Sequence, residues 1–128
     1  MTRGANAQHI VRAALESMAY QTKDVFDLMS TEAGLKIKSL AVDGGACRND
    51  LLMQFQADML GIPIVRPAMV DSTVAGAAYL AGVAIGLWKP KDIVKIKSIE
   101  RTFQPRMPRQ EVKLKYDGWR HAVRQALT

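Results

Sequence analysis

Apolar residues return at helical spacing through the first thirty positions: Val11, Leu15, Met18, Val25 and Met29 follow at intervals of three, four or seven. That spacing places them on one face of a long amphipathic helix over about 6–30. Asn6 fits its N-cap, because the side-chain oxygen can accept an unpaired N–H of the first turn. The pattern lapses at Thr31, Glu32 and Ala33, and Gly34 is a natural stop. Residues 37–42 alternate and then run continuously apolar, as in a strand covered on both faces, and lead straight into Asp43-Gly44-Gly45-Ala46. A second helix is predicted from Asn49 or Asp50, with Leu52, Phe55, Gln56 and Met59 along one side, Leu51 widening the arc and Gly61 ending it. Residues 62–67 form a short strand whose two prolines, Pro63 and Pro67, predict an edge or a strand end, where ladder donors are not needed. Asp71, Ser72 and Thr73 then cap a third helix over 74–87. Its Ala, Gly and Val content suits close approach to a neighbour, so the centre of the domain is expected for it.

Past residue 88 the pattern weakens. Pro90, Pro105 and Pro108 punctuate the chain and nothing between them has a clean period, so this stretch is read as irregular. From Pro108 a last helix is predicted, since proline is tolerated in a first helical turn. Val112, Tyr116, Trp119, Val123 and Leu127 make its stripe. Gly118 within it costs about 1 kcal/mol relative to Ala, so tertiary packing must hold the helix. The order helix, strand, helix, strand, helix, irregular, helix is an α/β layout, with helices packed on a small sheet of two or three strands. It divides into an α/β core over 1–88 and a tail with a terminal helix over 89–128.

At 128 residues, 48% hydrophobic and 23% charged, the chain has the size of one domain, enough for a real core and too apolar for disorder. Charge sharpens the division. Residues 1–88 hold seven Lys/Arg against eight Asp/Glu, and residues 89–128 hold eleven against four, so net −1 and net +7 sum to the +6 of the chain. The lone Cys47 rules out an intrachain disulfide and a thiolate metal cluster, and fits a reducing, cytoplasmic setting. No apolar h-region opens the chain, so no cleavable signal is expected. The charge-free stretch over 72–88 is 17 residues long, short of the roughly 20 apolar residues a membrane span needs, and predicts a buried helix in a soluble protein.

One segment carries chemistry. Glycines between a strand end and a helix start let the backbone come within contact distance of a ligand. The helix that follows adds unpaired N–H groups and a positive dipole end. The spacing is not the dinucleotide G-x-G-x-x-G, and no Gly-Lys-Ser/Thr makes a P-loop. On local pattern, both a nucleotide-binding turn and a plain tight turn fit.

The residues go further than the pattern. Val42-Asp43-Gly44-Gly45-Ala46 is followed by Asn49-Asp50-Leu51-Leu52-Met53-Gln54-Phe55-Gln56-Ala57-Asp58, then by Leu60-Gly61-Ile62-Pro63-Ile64-Val65-Arg66-Pro67. This succession resembles the glycerol kinases of the FGGY carbohydrate-kinase family. Gly76-Ala77-Ala78-Tyr79-Leu80-Ala81-Gly82 with Gly86 and Trp88 is similar to the next block, in order and at the right distance. Thr2-Arg3-Gly4, Arg12-Ala13-Ala14-Leu15-Glu16 and Tyr20-Gln21-Thr22 resemble the preceding one, and Tyr116-Asp117-Gly118-Trp119 with Ala122-Val123 the C-terminal helix. The resemblance implies part of an actin-like, ribonuclease-H-like ATPase fold, with ATP and substrate meeting between two such domains. It also implies that Gly45 and Asn49 contact the adenosine part of ATP or ADP, that Gly44 shapes the same turn, and that Mg2+ accompanies the nucleotide in the whole enzyme. None of the twelve acidic residues lies in a block resembling the family's catalytic aspartate. The expectation is therefore a C-terminal piece without catalytic residues, partnered by the remaining kinase half or by a second copy of itself.

Elsewhere the bland readings stand. Asp43 is expected to bond turn amides, although it could touch a metal-bound water. Cys47 sits near a helix N-terminus, which lowers a thiol's pKa, but lacks a nearby His. His9 and His121 are read as surface or packing residues, and Met18, Met29, Met53 and Met59 as core fillers. Gly82 and Gly86 signal close helix packing. The basic tail raises nucleic-acid binding as a competing reading. Against it, Asp117 shares the face of Lys113, Arg120 and Arg124, four residues after Lys113 as in a solvated ion pair. Tyr116 and Trp119 moreover belong to the apolar stripe rather than to a stacking platform.

Overall fold

A computed structural model of the chain describes residues 4–34, 36–96 and 98–127; Thr2 and Arg3 of the resembling first block lie outside them. Helix α1 (Ala7–Ala33) begins as its sequence suggests. The Asn6 side chain accepts the His9 N–H at 3.1 Å, and the Asn6 N–H donates back to His9 Nδ1 at 3.3 Å, so two orphan donors are satisfied reciprocally. The helix continues to Ala33 because nothing breaks it before Gly34, which takes a left-handed φ of 59°. Its apolar face is only partly used. Ala19 and Tyr20 are buried, whereas Val11, Met18, Val25 and Met29 are exposed. The core-filler reading thus holds for Met53 and Met59, both buried, and is corrected for Met18 and Met29.

Strand β1 (Leu40–Ala41) is much shorter than the apolar run that contains it, and Ala41 is exposed rather than covered on both faces. It pairs in parallel with β2 (Ile64–Pro67) through Leu40↔Ile64 and Ala41↔Val65. On its other side β2 pairs antiparallel with β3 (Ile99–Phe103), matching Ile64 with Phe103 and Val65 with Thr102. The order β1-β2-β3 makes the proline-flanked strand central, so of the two places expected for its prolines, an edge or a strand end, they take the second. Residues 99–103 are a strand rather than irregular. The prolines fit because both sit at strand ends: Pro63 precedes β2 and lends its carbonyl to the Leu40 N–H at 3.0 Å, while Pro67 lies at a register irregularity. Strand β3 escapes recognition because four of its five residues are exposed, leaving no alternation to read.

Helix α2 (Asp50–Leu60) packs on this sheet and supplies the largest share of the core, with Leu52, Phe55, Gln56 and Met59 all buried as expected. Helix α3 (Ser72–Ala84) does not lie at the centre. Leu80 is 73% exposed and Ile85, just past its end, 80%. Its small residues serve a different neighbour. A Cβ at Gly82 would land on the Trp88 ring, which also meets Tyr79 edge-on at 5.7 Å, and the reversal is completed by Gly86 at φ 76°.

The short α4 (Pro90–Ile96) leads to β3, and α5 (Arg109–Ala126) closes the chain with Pro108 at its cap. The α5 stripe docks on α1. Trp119 stacks on Tyr20 at 5.5 Å between ring centroids, and Tyr20 meets Phe55 of α2 edge-on at 5.4 Å. Asp24 accepts the Trp119 indole N–H at 2.9 Å and the Tyr116 hydroxyl. Leu127, at the end of the stripe, is exposed. Among the described residues Lys113 and Asp117 form no ion pair with each other; within α5, Lys115 pairs with Glu111 at 3.8 Å.

Candidate nucleotide-binding turn

Between β1 and α2 the chain makes one compact reversal. Gly44 has φ 81° and ψ 170°, a backbone that an L side chain rarely adopts, and its N–H donates to the Val70 carbonyl at 2.6 Å. Its carbonyl accepts the Cys47 N–H at 3.2 Å, which starts the single 3-10 turn Gly45–Arg48. Asn49 then caps α2, its side-chain oxygen accepting the Leu52 N–H at 3.1 Å. Gly44, Gly45 and Asn49 therefore line one continuous turn. A Cβ built at Gly45 meets nothing within 4 Å, and φ there is not positive. Neither packing nor backbone strain requires a glycine at 45. What the glycine leaves is bare, accessible backbone beside the α2 N-terminus. Asn49 contributes its amide NH2, because its oxygen is already engaged by the helix.

Two contacts tie the start of α3 to this turn. The Ser72 hydroxyl donates to the Asp43 carboxylate, and Arg48 faces Asp71 at 3.9 Å. Asp43 thus bonds a hydroxyl instead of the turn amides expected of it. Cys47 also departs from expectation: it is 1% exposed, and burial pushes its thiol above the ordinary value despite the nearby Arg66 charge. Desolvation outweighs the attraction of the Arg66 charge, so this thiol is a core atom.

The residue that organises the turn is Arg66, to which the sequence pattern gave no role. It is 5% exposed, at the centre of β2. Its Nη1 donates to the Cys47 carbonyl and to Asp50 Oδ1, both at 2.8 Å. Its Nε and Nη2 grip Glu100 of β3 in a fork, at 3.1 Å each. Arg101 adds a second donor to Asp50, and the Phe103 ring lies 5.1 Å from the Arg66 guanidinium. Asp50 is held below the usual carboxylate range, chiefly by its Arg66 hydrogen bond. A signal was present. Arg66 is two residues from Ile64 and so shares its buried face, and a buried Arg must find acid and carbonyl partners.

Neither of two surface depressions beside α2 is lined by Gly44, Gly45 or Asn49. One, of about 160 Å³, lies between α1 and α2 near Arg12, Phe55 and Met107; the other, of about 260 Å³, lies behind the turn near Met18, Thr22, Asp43 and Cys47. Among the described residues no three His, Cys, Asp or Glu side chains converge as metal ligands, so no residue is assigned to Mg2+.

Comparison with known proteins agrees with the architecture. The family model "FGGY family of carbohydrate kinases, C-terminal domain" matches residues 1–85. The chain is 52% identical over 128 residues to glycerol kinase of Alkaliphilus oremlandii, covering 99% of the chain and 25% of that protein. It is 52% identical over 124 residues to glycerol kinase of Aeromonas hydrophila, covering 96% and 25%. Among solved structures, Plasmodium falciparum glycerol kinase with ADP superposes with a TM-score of 0.84 at 30% identity, over 100% of this chain and 26% of that one. Xylulose kinase of Lactobacillus acidophilus shares the fold, with a TM-score of 0.71 at 22% identity over 99% of this chain and 26% of that one. The chain spans about a quarter of the length of the curated relatives it matches. It belongs to the FGGY family of carbohydrate kinases and has the α/β fold of their C-terminal domain.

Proposed function

We propose that this chain supplies the adenosine side of the ATP/ADP site of a glycerol kinase, the enzyme that transfers the ATP γ-phosphate to glycerol to give glycerol 3-phosphate. The observation that carries the reading is Gly45. It leaves open, unstrained backbone beside the capped N-terminus of α2, in a chain half identical to glycerol kinases along its length. A flat base or ribose approaches bare backbone at Gly45, Gly44 sets the reversal, and the Asn49 NH2 donates to an acceptor on the nucleoside. These residues bind and orient; none moves a proton.

Phosphoryl transfer depends on positioning, a metal ion and a group that orients the nucleophile. We assign those roles to the other three quarters of such an enzyme. Each absent phosphate contact, at roughly 1.5–3 kcal/mol, weakens ATP binding by about one to two decades. The 128 residues alone are thus proposed to bind nucleotide weakly and to turn over nothing. Glycerol-dependent ADP release by the purified chain in a coupled assay would overturn that. The proposed setting is the cytoplasm; no helix among the described residues is long and apolar enough to cross a membrane.

A second reading is a catalytically silent module that docks on a protein partner. It draws on the exposed apolar side chains Val74, Leu80 and Ile85 around α3, and Val11, Val25 and Leu28 on α1. The remaining kinase half is the proposed partner, and a second copy of this chain would cover the same surface when that half is absent. Size exclusion combined with ATP titration separates the readings. Saturable binding supports the nucleotide role, whereas self-association without binding supports the silent module.

A further inference from the structure

We propose that Arg66, gripped by Glu100, is the positioning residue of the nucleotide turn, so that strand β3 in the basic tail tunes adenosine recognition without touching the ligand. The inference rests on the nucleotide reading above and adds to it the part of the chain that governs the site. The glycine turn is short of internal support: Gly45 and Asn49 face outward, and a 3-10 turn has poorer hydrogen-bond geometry than an α-helix. Its position is fixed from behind. One guanidinium nitrogen, Arg66 Nη1, holds both the Cys47 carbonyl inside the turn and the Asp50 carboxylate immediately after Asn49. Two points on either side of Asn49 are thus tied to one rigid plane. That plane is set in turn by the two-pronged contact with Glu100, whose strand pairs with β2 beside it. A guanidinium can satisfy the carbonyl and two carboxylates in fixed directions, which a lysine ammonium cannot.

Nuclear magnetic resonance titration of the 128-residue chain with ADP tests this, using Glu100→Gln, Arg66→Lys and, as a folding control remote from the turn, Asp24→Asn. Glu100 is half-exposed, so its amide variant retains the fold even if Arg66→Lys does not. The expected result has two parts. In Glu100→Gln the amides of Cys47 and Asn49 shift and exchange faster while those of α1 and α5 are unchanged, and ADP binds roughly 3- to 20-fold more weakly. Asp24→Asn loosens α5 and leaves ADP affinity alone. Wild-type binding of ADP with the same affinity in Glu100→Gln overturns the positioning role and leaves the nucleotide reading standing. Absence of ADP binding in the wild type overturns the nucleotide reading, and the positioning role with it.

Discussion

Arg66 donates a hydrogen bond to the carbonyl of Cys47 at 2.8 Å, joining the middle of the central strand to the inside of the glycine turn. That contact explains why a cation is kept at 5% exposure in a domain of this size, and why its neighbours Asp50 and Glu100 lie where they do. Replacing Arg66 by Met removes four hydrogen bonds and strands the buried Cys47 carbonyl. The predicted loss is about 3 kcal/mol of unfolding free energy, with the denaturant slope unchanged. Urea titration followed by far-ultraviolet circular dichroism measures it, and a loss below about 1 kcal/mol contradicts the role given to the guanidinium.

The Cys47 thiol reports on the same contact chemically. At 1% exposure and with its pKa raised by burial, it should react with a thiol reagent only through opening of the turn. In Glu100→Gln and Arg66→Lys the labelling rate should rise at least several-fold, while global stability measured in urea falls less than that rise requires. Equal rates in wild type and variants would show that the turn is held by something else.

The α1–α5 contact should be sensitive to alkali. Burial, and then the hydrogen bond to Asp24, push the Tyr116 hydroxyl up to about 12 from an ordinary 10.0; Tyr20 is likewise pushed up to about 12, chiefly by burial. Because folding raises these values, the protonated phenols favour the folded state. The stabilisation is complete below about pH 10 and disappears as pH rises through about 12. Lys23 over the Tyr116 ring, with Asp24, Asp27 and Arg120 around its hydroxyl, completes the charged surroundings. Trp119 fluorescence is expected to change between those limits, and less so in Tyr116→Phe. A flat profile up to pH 12 contradicts the docking described.

At Gly82 a single methyl should be felt, because an added Cβ collides with the Trp88 ring. Gly82→Ala is predicted to displace Trp88 and cost about 1–3 kcal/mol, the usual range for overpacking. Gly76, on the same helix with open space at its Cβ, should accept Ala with no loss. The pair is read by thermal melts and by the near-ultraviolet signal of tryptophan.

Much of this was legible in the chain, and the failures share a cause. Helix ends fixed by local chemistry are legible: Asn6 caps α1, α2 starts at Asn49–Asp50, and Gly34 and Gly61 stop their helices in the left-handed region, although Asp71 precedes α3 without a side-chain cap bond. The compact turn was legible for the same reason, since Gly44 and Gly45 act through their own backbone. What depended on distant partners was not. Strand β3 exists because β2 offers it a ladder, and an exposed strand with one buried residue has no pattern of its own. Periodicity assigns the apolar face of α1 to the core and small-residue content assigns α3 to the centre, yet much of both lies exposed, since either signal identifies a surface to be covered and not what covers it. Arg66 was missed because its importance lies in four partners drawn from residues 47, 50 and 100.

The most direct test of the central claim is titration of the isotope-labelled chain with ADP while following the amides of residues 44–52, beside Gly45→Val. A saturable, weak perturbation centred on Gly45 and Asn49, abolished by Gly45→Val with the remaining spectrum unchanged, is the predicted result. No perturbation at millimolar ADP, or one centred on another surface and unaffected by Gly45→Val, would contradict the assignment of this turn to nucleotide.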